Sequence, residues 1–347
     1  MKPLVSILIP AYNASQWLAT TVRSAIGQTW DHKEIVIVDD GSTDDTLAIA
    51  RSFESDSIRV YTQKNQGAAA TRNHAFEFSK GDYIQWLDAD DLIGPDKVAS
   101  QVAIAQQCQD KRILISGGWA NFLYRHEHVN FVPTLLWADL TPTEWLTRKM
   151  AHNLHMQTAT WLVSRELTEA AGPWNTALLG DDDGEYFCRV LLASKGVRFA
   201  PAAKVYYRDV PNSLSYIGLS NRKIDAHWHS MKLHMNYLRS LEDSDRTRAA
   251  CVTYMQNWLG HFYPERLDIV NEAQALARSF GGELQTPRLS WKYSWIDAIF
   301  GRVLAKRAQI VMPQLRWSAV RWWDKTLFKI ENRKRVPNLE MSSSAHI

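Results

Sequence analysis

Three carboxylates within four residues, Asp88, Asp90 and Asp91, close the apolar run Tyr83-Ile84-Gln85-Trp86-Leu87. Carboxylates this close repel one another, and a folded chain holds them together only with a counter-charge. A hard divalent cation is the simplest one, because it takes oxygen ligands and shares them with substrate phosphates. The pattern implies a metal-assisted site at the end of a strand; an isolated Asp-x-Asp would read better as a solvated turn. A second acidic run, Asp181-Asp182-Asp183, stands just before Gly184. Consecutive Asp residues suit the positive end of a helix. They also supply a proton acceptor separate from the first cluster, which acid–base chemistry would need.

The elements that must position these groups alternate through the first third of the chain. Val5–Ile9 reads as a strand ended by Pro10, and Ser15 as the cap of a helix reaching Gln28. Glu34–Asp39 is a second strand, whose unbroken Ile and Val content suits a buried parallel position. Thr43 is expected to cap a helix from Asp44 to Phe53. Strands at Ile58–Tyr61, Tyr83–Leu87 and Arg112–Ser116 then alternate with helices at Ala68–Ser79 and Pro95–Gln107. This rhythm predicts an α/β, mainly parallel sheet with helices on both faces. Ligands bind such sheets beyond the carboxyl ends of the strands, where Tyr12, Asp40 and Asp88 to Asp91 all fall. Further on, a strand is expected at Thr158–Val163, a turn at Gly172-Pro173 and a helix from Gly184 to Lys195. Beyond Leu219 the pattern turns helical: 220–241, 245–260, 264–280, then 291–311 and 314–332 separated by Pro313.

Composition is that of a soluble globular chain: 347 residues, 46% hydrophobic and 22% charged. The opening Met1-Lys2-Pro3 lacks the basic and apolar regions of a signal peptide, and no apolar run is long enough to span a bilayer. Cys108, Cys188 and Cys251 show no metal-ligand spacing and suit a reducing compartment as core fillers. A cytoplasmic location follows as the expectation. Charge is uneven: residues 286–336 hold twelve Lys or Arg against three Asp or Glu, while the whole chain carries only +3. Five of the fifteen tryptophans (Trp291, Trp295, Trp317, Trp322 and Trp323) lie in the same stretch. Apolar and Trp positions facing Lys and Arg suggest an amphipathic helix on an anionic membrane surface, or one docked on the body of the protein. No recognised module supports nucleic acid binding.

Four strings, SILIPAYNAS at 6–15, EIVIVDDGSTDDT at 34–46, NQGAAATRN at 65–73 and GDYIQWLDADD at 81–91, occur in the order and spacing of the family 2 glycosyltransferases. The chain resembles that family closely over about its first 110 residues and more loosely to residue 215. The resemblance implies a GT-A fold, Rossmann-like, over 1–215, with a helical extension at 216–285 and the basic tail at 286–347. It implies transfer of a sugar, with inversion, from a nucleotide-diphosphate sugar such as a UDP-sugar to a hydroxyl of a glycan or lipid-linked acceptor. Pro10, Tyr12, Asp40, Arg72 and Asp88 match the donor-binding positions, and Asp90 the ligand of a Mg²⁺ or Mn²⁺ ion. Asp91 is left as a supporting residue or a cap of the next turn.

The run Leu179 to Arg189 resembles the family's Glu-Asp motif, in which an arginine lies six residues beyond the base. Counting back from Arg189 puts the base at Asp183, with Asp182 as the alternative. Tyr206 to Ser215 resembles a segment that closes over the site; Val210 stands where some relatives carry a metal-binding histidine. His227 and His229, the nearest substitutes, fall on an expected helix, and His152 and His155 receive no role. A nicotinamide-dependent oxidoreductase would need Gly-x-Gly-x-x-Gly where Pro10-Ala11-Tyr12-Asn13 stands. A binding module without turnover is the other alternative, disfavoured by the presence of Asp40, Asp90 and Asp183 together.

Overall fold

A computed structural model describes residues 2–108, 110–210, 220–287 and 290–335 of the chain. In chain order it begins β1 (Val5–Ala11), α1 (Leu18–Ile26), β2 (Lys33–Asp39), α2 (Thr46–Arg51), β3 (Ile58–Thr62), α3 (Ala68–Glu77) and β4 (Tyr83–Trp86). Then follow β5 (Leu92–Ile93), α4 (Lys97–Gln107), β6 (Ile113–Phe122), α5 (Pro142–Ala151), β7 (Val163–Ser164), α6 (Arg165–Ala171), α7 (Asp182–Ala193) and β8 (Gly196–Arg208). The remaining helices are α8 (Asn221–Leu241), α9 (Asp245–Phe262), α10 (Leu267–Ser279), α11 (Ser294–Phe300) and α12 (Arg302–Arg335).

Of the five strands expected in the first third of the chain, the one at Arg112–Ser116 enters another sheet as β6, and the other four join one sheet, in the order β3-β2-β1-β4-β7. Its first three pairings are parallel, and β7 adds an antiparallel edge. Period-2 alternation puts helices on both faces. Val5, Ile7 and Ile9 of β1 join one core with Leu18 and Val22 of α1 and Val98 and Val102 of α4. Leu8, Val36 and Val38 face the other, which contains Ala69 and Ala75 of α3 and continues through α5, α7, α8, α9 and α10. A second sheet, β5-β8-β6, follows the acidic cluster.

Several boundaries differ from expectation. Ser15 does not cap α1; its backbone N–H donates to Asp44 Oδ2 (3.1 Å), and the helix starts three residues later. Thr43 is likewise drawn away, donating to Asn13 Oδ1 (2.9 Å from the backbone), so α2 starts at Thr46. Of Thr158–Val163, Thr158–Thr160 is a 3-10 turn, Leu162 forms a single antiparallel bridge to Ile115, and Val163 pairs in the sheet as part of β7. The residue types of the turn serve burial rather than extension, since the β-branched Thr158 and Thr160 are buried along with Ala159, Trp161 and Leu162. The tail breaks at Gly301, whose φ of +81° suits only glycine, and α12 runs on through Pro313. A proline removes one hydrogen bond and bends a helix without having to end it.

By contacts the chain divides in two. One unit comprises Met1–Ala120 with Phe131–Thr286, so the sheets and α8 to α10 share it. The other is built from Asn121–Asn130 with the described part of Pro287–Ile347. Within it, Arg125 binds Asp324 (2.7 Å) and Glu331 (3.0 Å) of α12.

Candidate active site

The ends of β1 and β2 are tied together by the Asp40 N–H, which donates to Ala11 C=O (2.8 Å). β1 runs one residue past Pro10 to the buried Ala11, and Asn13 turns the chain with a φ of +47°. Tyr12, just beyond the end of β1, is 51% exposed. Asp40 is instead buried, and accepts from Gln63 Nε2 (2.7 Å), Gln66 N (2.8 Å) and Gly67 N (2.8 Å). Its carboxylate therefore fixes the loop that leads into α3, with Gly67 at φ +90° allowing the approach.

One turn into α3 stands Arg72, buried, with its guanidinium divided between two carboxylates. Nη2 donates to Asp88 Oδ1 and Nη1 to Asp182 Oδ2, both at 2.8 Å. The guanidinium lies 4.4 Å from the ring centroid of Trp174, which in turn stacks on Tyr186 at 4.0 Å. A planar fork on an aromatic face can hold two acids in fixed directions, which an ammonium could not. Asn73 secures the platform: its side chain exchanges two hydrogen bonds with the Trp174 backbone (2.8 and 3.0 Å). The two acidic clusters, far apart in sequence, thus meet across one arginine.

The first cluster is not uniform. Asp91 is buried and accepts from the Arg208 backbone N–H (2.8 Å), joining the end of β4 to the end of β8. Burial, followed by Asp90 and Asp88, raises its carboxyl well above the ordinary range, and Oδ2 has no partner among the described residues. Asp90 gives only its backbone carbonyl to Arg208 Nε (2.7 Å); its carboxylate accepts no hydrogen bond among the described residues. Burial and the Asp88 charge push that carboxyl up to about 6.

At the second cluster, Asp181 takes a left-handed conformation (φ +55°) just before α7. Its side chain accepts from Ser230 Oγ of α8 (2.8 Å), and Ser230 continues to His234 (3.2 Å) and His234 to Tyr254 of α9 (3.1 Å). Gly184 is required by this arrangement, because a Cβ there would lie 2.2 Å from Asp181 Oδ1. Asp183, in the first turn of α7, receives a long contact from Thr158 Oγ1 (3.4 Å). Burial, then Asp182 and Asp181, push its carboxyl up to about 7. The helix dipole opposes this by only about 0.3–1 kcal/mol, too little to restore an ordinary acid.

The sequence model of the family described as "Glycosyl transferase family 2" matches residues 6–169, which hold the parallel sheet, Arg72 and the first acidic cluster. The chain carries a family 2 glycosyltransferase domain. Over 98 residues it is 46% identical to chondroitin synthase of Escherichia coli, a stretch covering 28% of this chain and 14% of that protein. The matched stretches cover 48% or less of each of the curated relatives compared. Among solved structures, S. aureus TarS 1-349 in complex with UDP-GlcNAc superposes with a TM-score of 0.63 at 17% identity, over 81% of this chain and 80% of that one. The mannosyltransferase PcManGT from Pyrobaculum calidifontis, in complex with GDP-Man and Mn²⁺, gives 0.53 at 17% identity, over 99% and 89%. At such identities the likeness speaks for the GT-A fold.

At the carboxyl edge of the sheet the strand-end residues read from sequence come together, and Arg72 links Asp88 of that group to Asp182. Asp182 is committed to Arg72, whereas the Asp183 carboxylate accepts from its own helix at Gly184 N (2.9 Å) and faces Thr158. Arg189, used to count back to Asp183, pairs with Glu185 (2.8 Å) and donates to the carbonyls of Ala171 and Pro173. It therefore shapes the turn that presents Trp174. Of the segment expected to close over the site, Pro211 to Ser215 lies outside the described residues, while Arg208 reaches Asp90 and lies 4.3 Å from the Trp17 ring centroid.

Sequence reasoning missed Trp174, Asn73 and Ser230. Asn73 lay within a quoted string; the other two carry no local signal, because their partners are distant in the chain. Metal fit rests on the donor set. No cluster of three His, Cys, Asp or Glu ligands forms among the described residues. The uncommitted Asp90 carboxylate and an Asp91 oxygen without a partner among the described residues nonetheless offer an all-oxygen donor set. Such a site suits a hard cation whose remaining ligands come from phosphates.

Proposed function

We propose that this protein transfers a sugar from a nucleotide-diphosphate sugar, a UDP-sugar first among the candidates, to a hydroxyl of a glycan or lipid-linked acceptor. The observation that carries the proposal is the Arg72 bridge, which sets the Asp88–Asp90 cluster and the Asp182–Asp183 pair on either side of one guanidinium. Donor and acceptor chemistry need that adjacency: a group that holds the leaving diphosphate, and next to it one that takes a proton.

Tyr12 offers its exposed face to the base, with Pro10 and the Asp40 carboxylate beside it at the strand ends. Asp88 orients the donor while Arg72 holds Asp88. Asp90 would hold a Mg²⁺ or Mn²⁺ ion, which supplies charge neutralisation for the departing nucleoside diphosphate. Asp183 takes the proton of the acceptor hydroxyl. The acceptor oxygen bonds the anomeric carbon as the bond to the diphosphate oxygen breaks, and that oxygen leaves with the electron pair. A single displacement from the opposite face inverts the anomeric configuration and uses no covalent nucleophile. We place the reaction at the cytoplasmic face of a membrane, in glycan assembly; among the described residues no helix is long and apolar enough to cross a membrane.

The test is heat stability with UDP or GDP, with and without Mn²⁺, followed by transfer from a panel of nucleotide sugars. Stabilisation by nucleotide only in the presence of metal, and transfer with inverted configuration, are expected. Absence of any shift with either nucleotide would refute the donor assignment. Binding without transfer to any acceptor would favour a binding module.

A further inference from the structure

The long helix α12 is exposed along one apolar stripe. Met312, Val320, Trp323 and Ile330 are spaced by 8, 3 and 7 residues and fall within an arc of about 80° around the helix. All four are exposed, Trp323 to 58%. The two borders of this stripe differ in chemistry. On one side stand Trp322, Lys325 and Lys329, with Trp322 67% exposed. On the other stand Asp324 and Glu331, the two acids of the helix, and both are taken by Arg125. The Tyr124 N–H adds a bond to Asp324 Oδ2 (3.0 Å). Arg125 therefore ties down both acids and offsets one of their two charges, leaving an apolar stripe with a cationic border and a weakly acidic one. The preceding α11 adds exposed Trp295, Ile299 and Phe300.

We propose that this face of α12 lies on an anionic lipid surface, with Trp323 and its stripe in the headgroup region and Lys325 and Lys329 among the lipid phosphates. Charge complementarity selects this occupant. A face meant for a second copy would meet the same lysines across a two-fold axis, whereas an anionic bilayer satisfies them. Tryptophans beside lysines suit an interface that is apolar on one side and wet on the other. The proposal gives the membrane location of the proposed function its residues, and it is tested by partition rather than by transfer, so the two fail separately.

The experiment is sedimentation of the full chain with vesicles of phosphatidylcholine alone or with phosphatidylglycerol, at low and high salt. Binding only to the anionic vesicles, lost as salt rises, is expected. Lys325→Gln with Lys329→Gln should weaken partition about thirtyfold, from two lost surface charges. Trp323→Ser should weaken it and reduce the blue shift of tryptophan emission on binding, to which Trp322 also contributes. Arg125→Gln should also weaken it, by releasing Asp324 and Glu331, while Asp324→Asn with Glu331→Gln should bind at least as tightly as the parent. Should the Arg125 variant unfold, as judged by a lost melting transition, the lysine pair still decides. Equal binding to both vesicle types, or partition unmoved by the lysine and tryptophan changes, overturns the proposal. So does a concentration-dependent dimer, abolished by Trp323→Ser, in a chain that does not bind vesicles.

Discussion

Replacing Asp182 with Asn should move the rising limb of the pH–rate profile to lower pH. Asp183 is held at about 7 by burial first and by Asp182 next, while Arg72 acts in the opposite direction. Asn at 182 removes the neighbouring negative charge and releases the Arg72 Nη1 now bonded to Asp182, so both effects favour an ionised Asp183. A base with a pKa near 7 is about one-tenth ionised at pH 6 and about nine-tenths at pH 8, so kcat/KM for the acceptor should rise about tenfold between them in the parent. In the Asp182→Asn enzyme most of that rise should already be complete at pH 6. Asp90, held at about 6, could imitate the limb. Saturating Mn²⁺ separates them, because a bound cation displaces the Asp90 proton but leaves that of Asp183. The assay is initial rate against pH at saturating donor and metal. A limb that stays in place in Asp182→Asn would refute the electrostatic argument, and one that survives Asp183→Asn with full transfer would remove Asp183 as the base. Stability should follow the same sign: the native state keeps the Asp183 proton that the unfolded chain releases, so stability falls as pH rises from about 4 to about 7. In Asp182→Asn that fall should be shallower.

Other substitutions probe the surrounding structure. Asp90→Asn should abolish the metal-dependent part of the thermal shift by nucleotide while leaving the melting temperature of the free protein nearly unchanged. Arg72→Lys should lower transfer strongly, because a lysine cannot bond Asp88 and Asp182 together, and donor titration should show weaker binding as well. Gly184→Ala gains about 1 kcal/mol of helix propensity but displaces the Asp181 carboxylate from Ser230, a charge-assisted bond worth about 1.5–3 kcal/mol. Denaturant melts should therefore show a net loss of about 1 kcal/mol; a more stable variant would mean that Asp181 is not held as described. Trp174→Ala should cost about 3–5 kcal/mol, since it removes both the stack on Tyr186 and the face beneath Arg72.

The parallel part of the sheet, β1 to β4, was legible because each of those strands announces itself locally. An unbroken Ile-Val run or an apolar run stopped by Pro10 or Asp88 needs no distant partner to be recognised, and the donor-side residues inherit their positions from those ends. What could not be read depends on contacts across the chain. Ser15 and Thr43 look like helix caps until Asp44 and Asn13 compete for them. Thr158–Thr160 carries strand-forming residues whose burial, not pairing, explains their type. Pro313 seemed a boundary because local rules cannot show that a helix survives a missing bond, and Gly301 was passed over because glycine's sign of φ is not written in its neighbours. At the candidate site, three adjacent Asp residues offered three registers. Only the partners distinguish them: Ser230 for Asp181, Arg72 for Asp182, and Thr158 for Asp183.

The hold of α8 on Asp181 bears on where this protein can be cut. The most recognisable part of the chain ends well before residue 220, and a minimal fragment drawn there would keep the sheet, Arg72 and all the acids. It would lose Ser230 and His234, and with them the clasp on the residue whose backbone turn starts α7. The proposed acceptor half of the site is therefore furnished by one segment and anchored by another. A chimera that exchanges α8 to α10 between relatives would reset the aim of Asp182 and Asp183 without altering either residue.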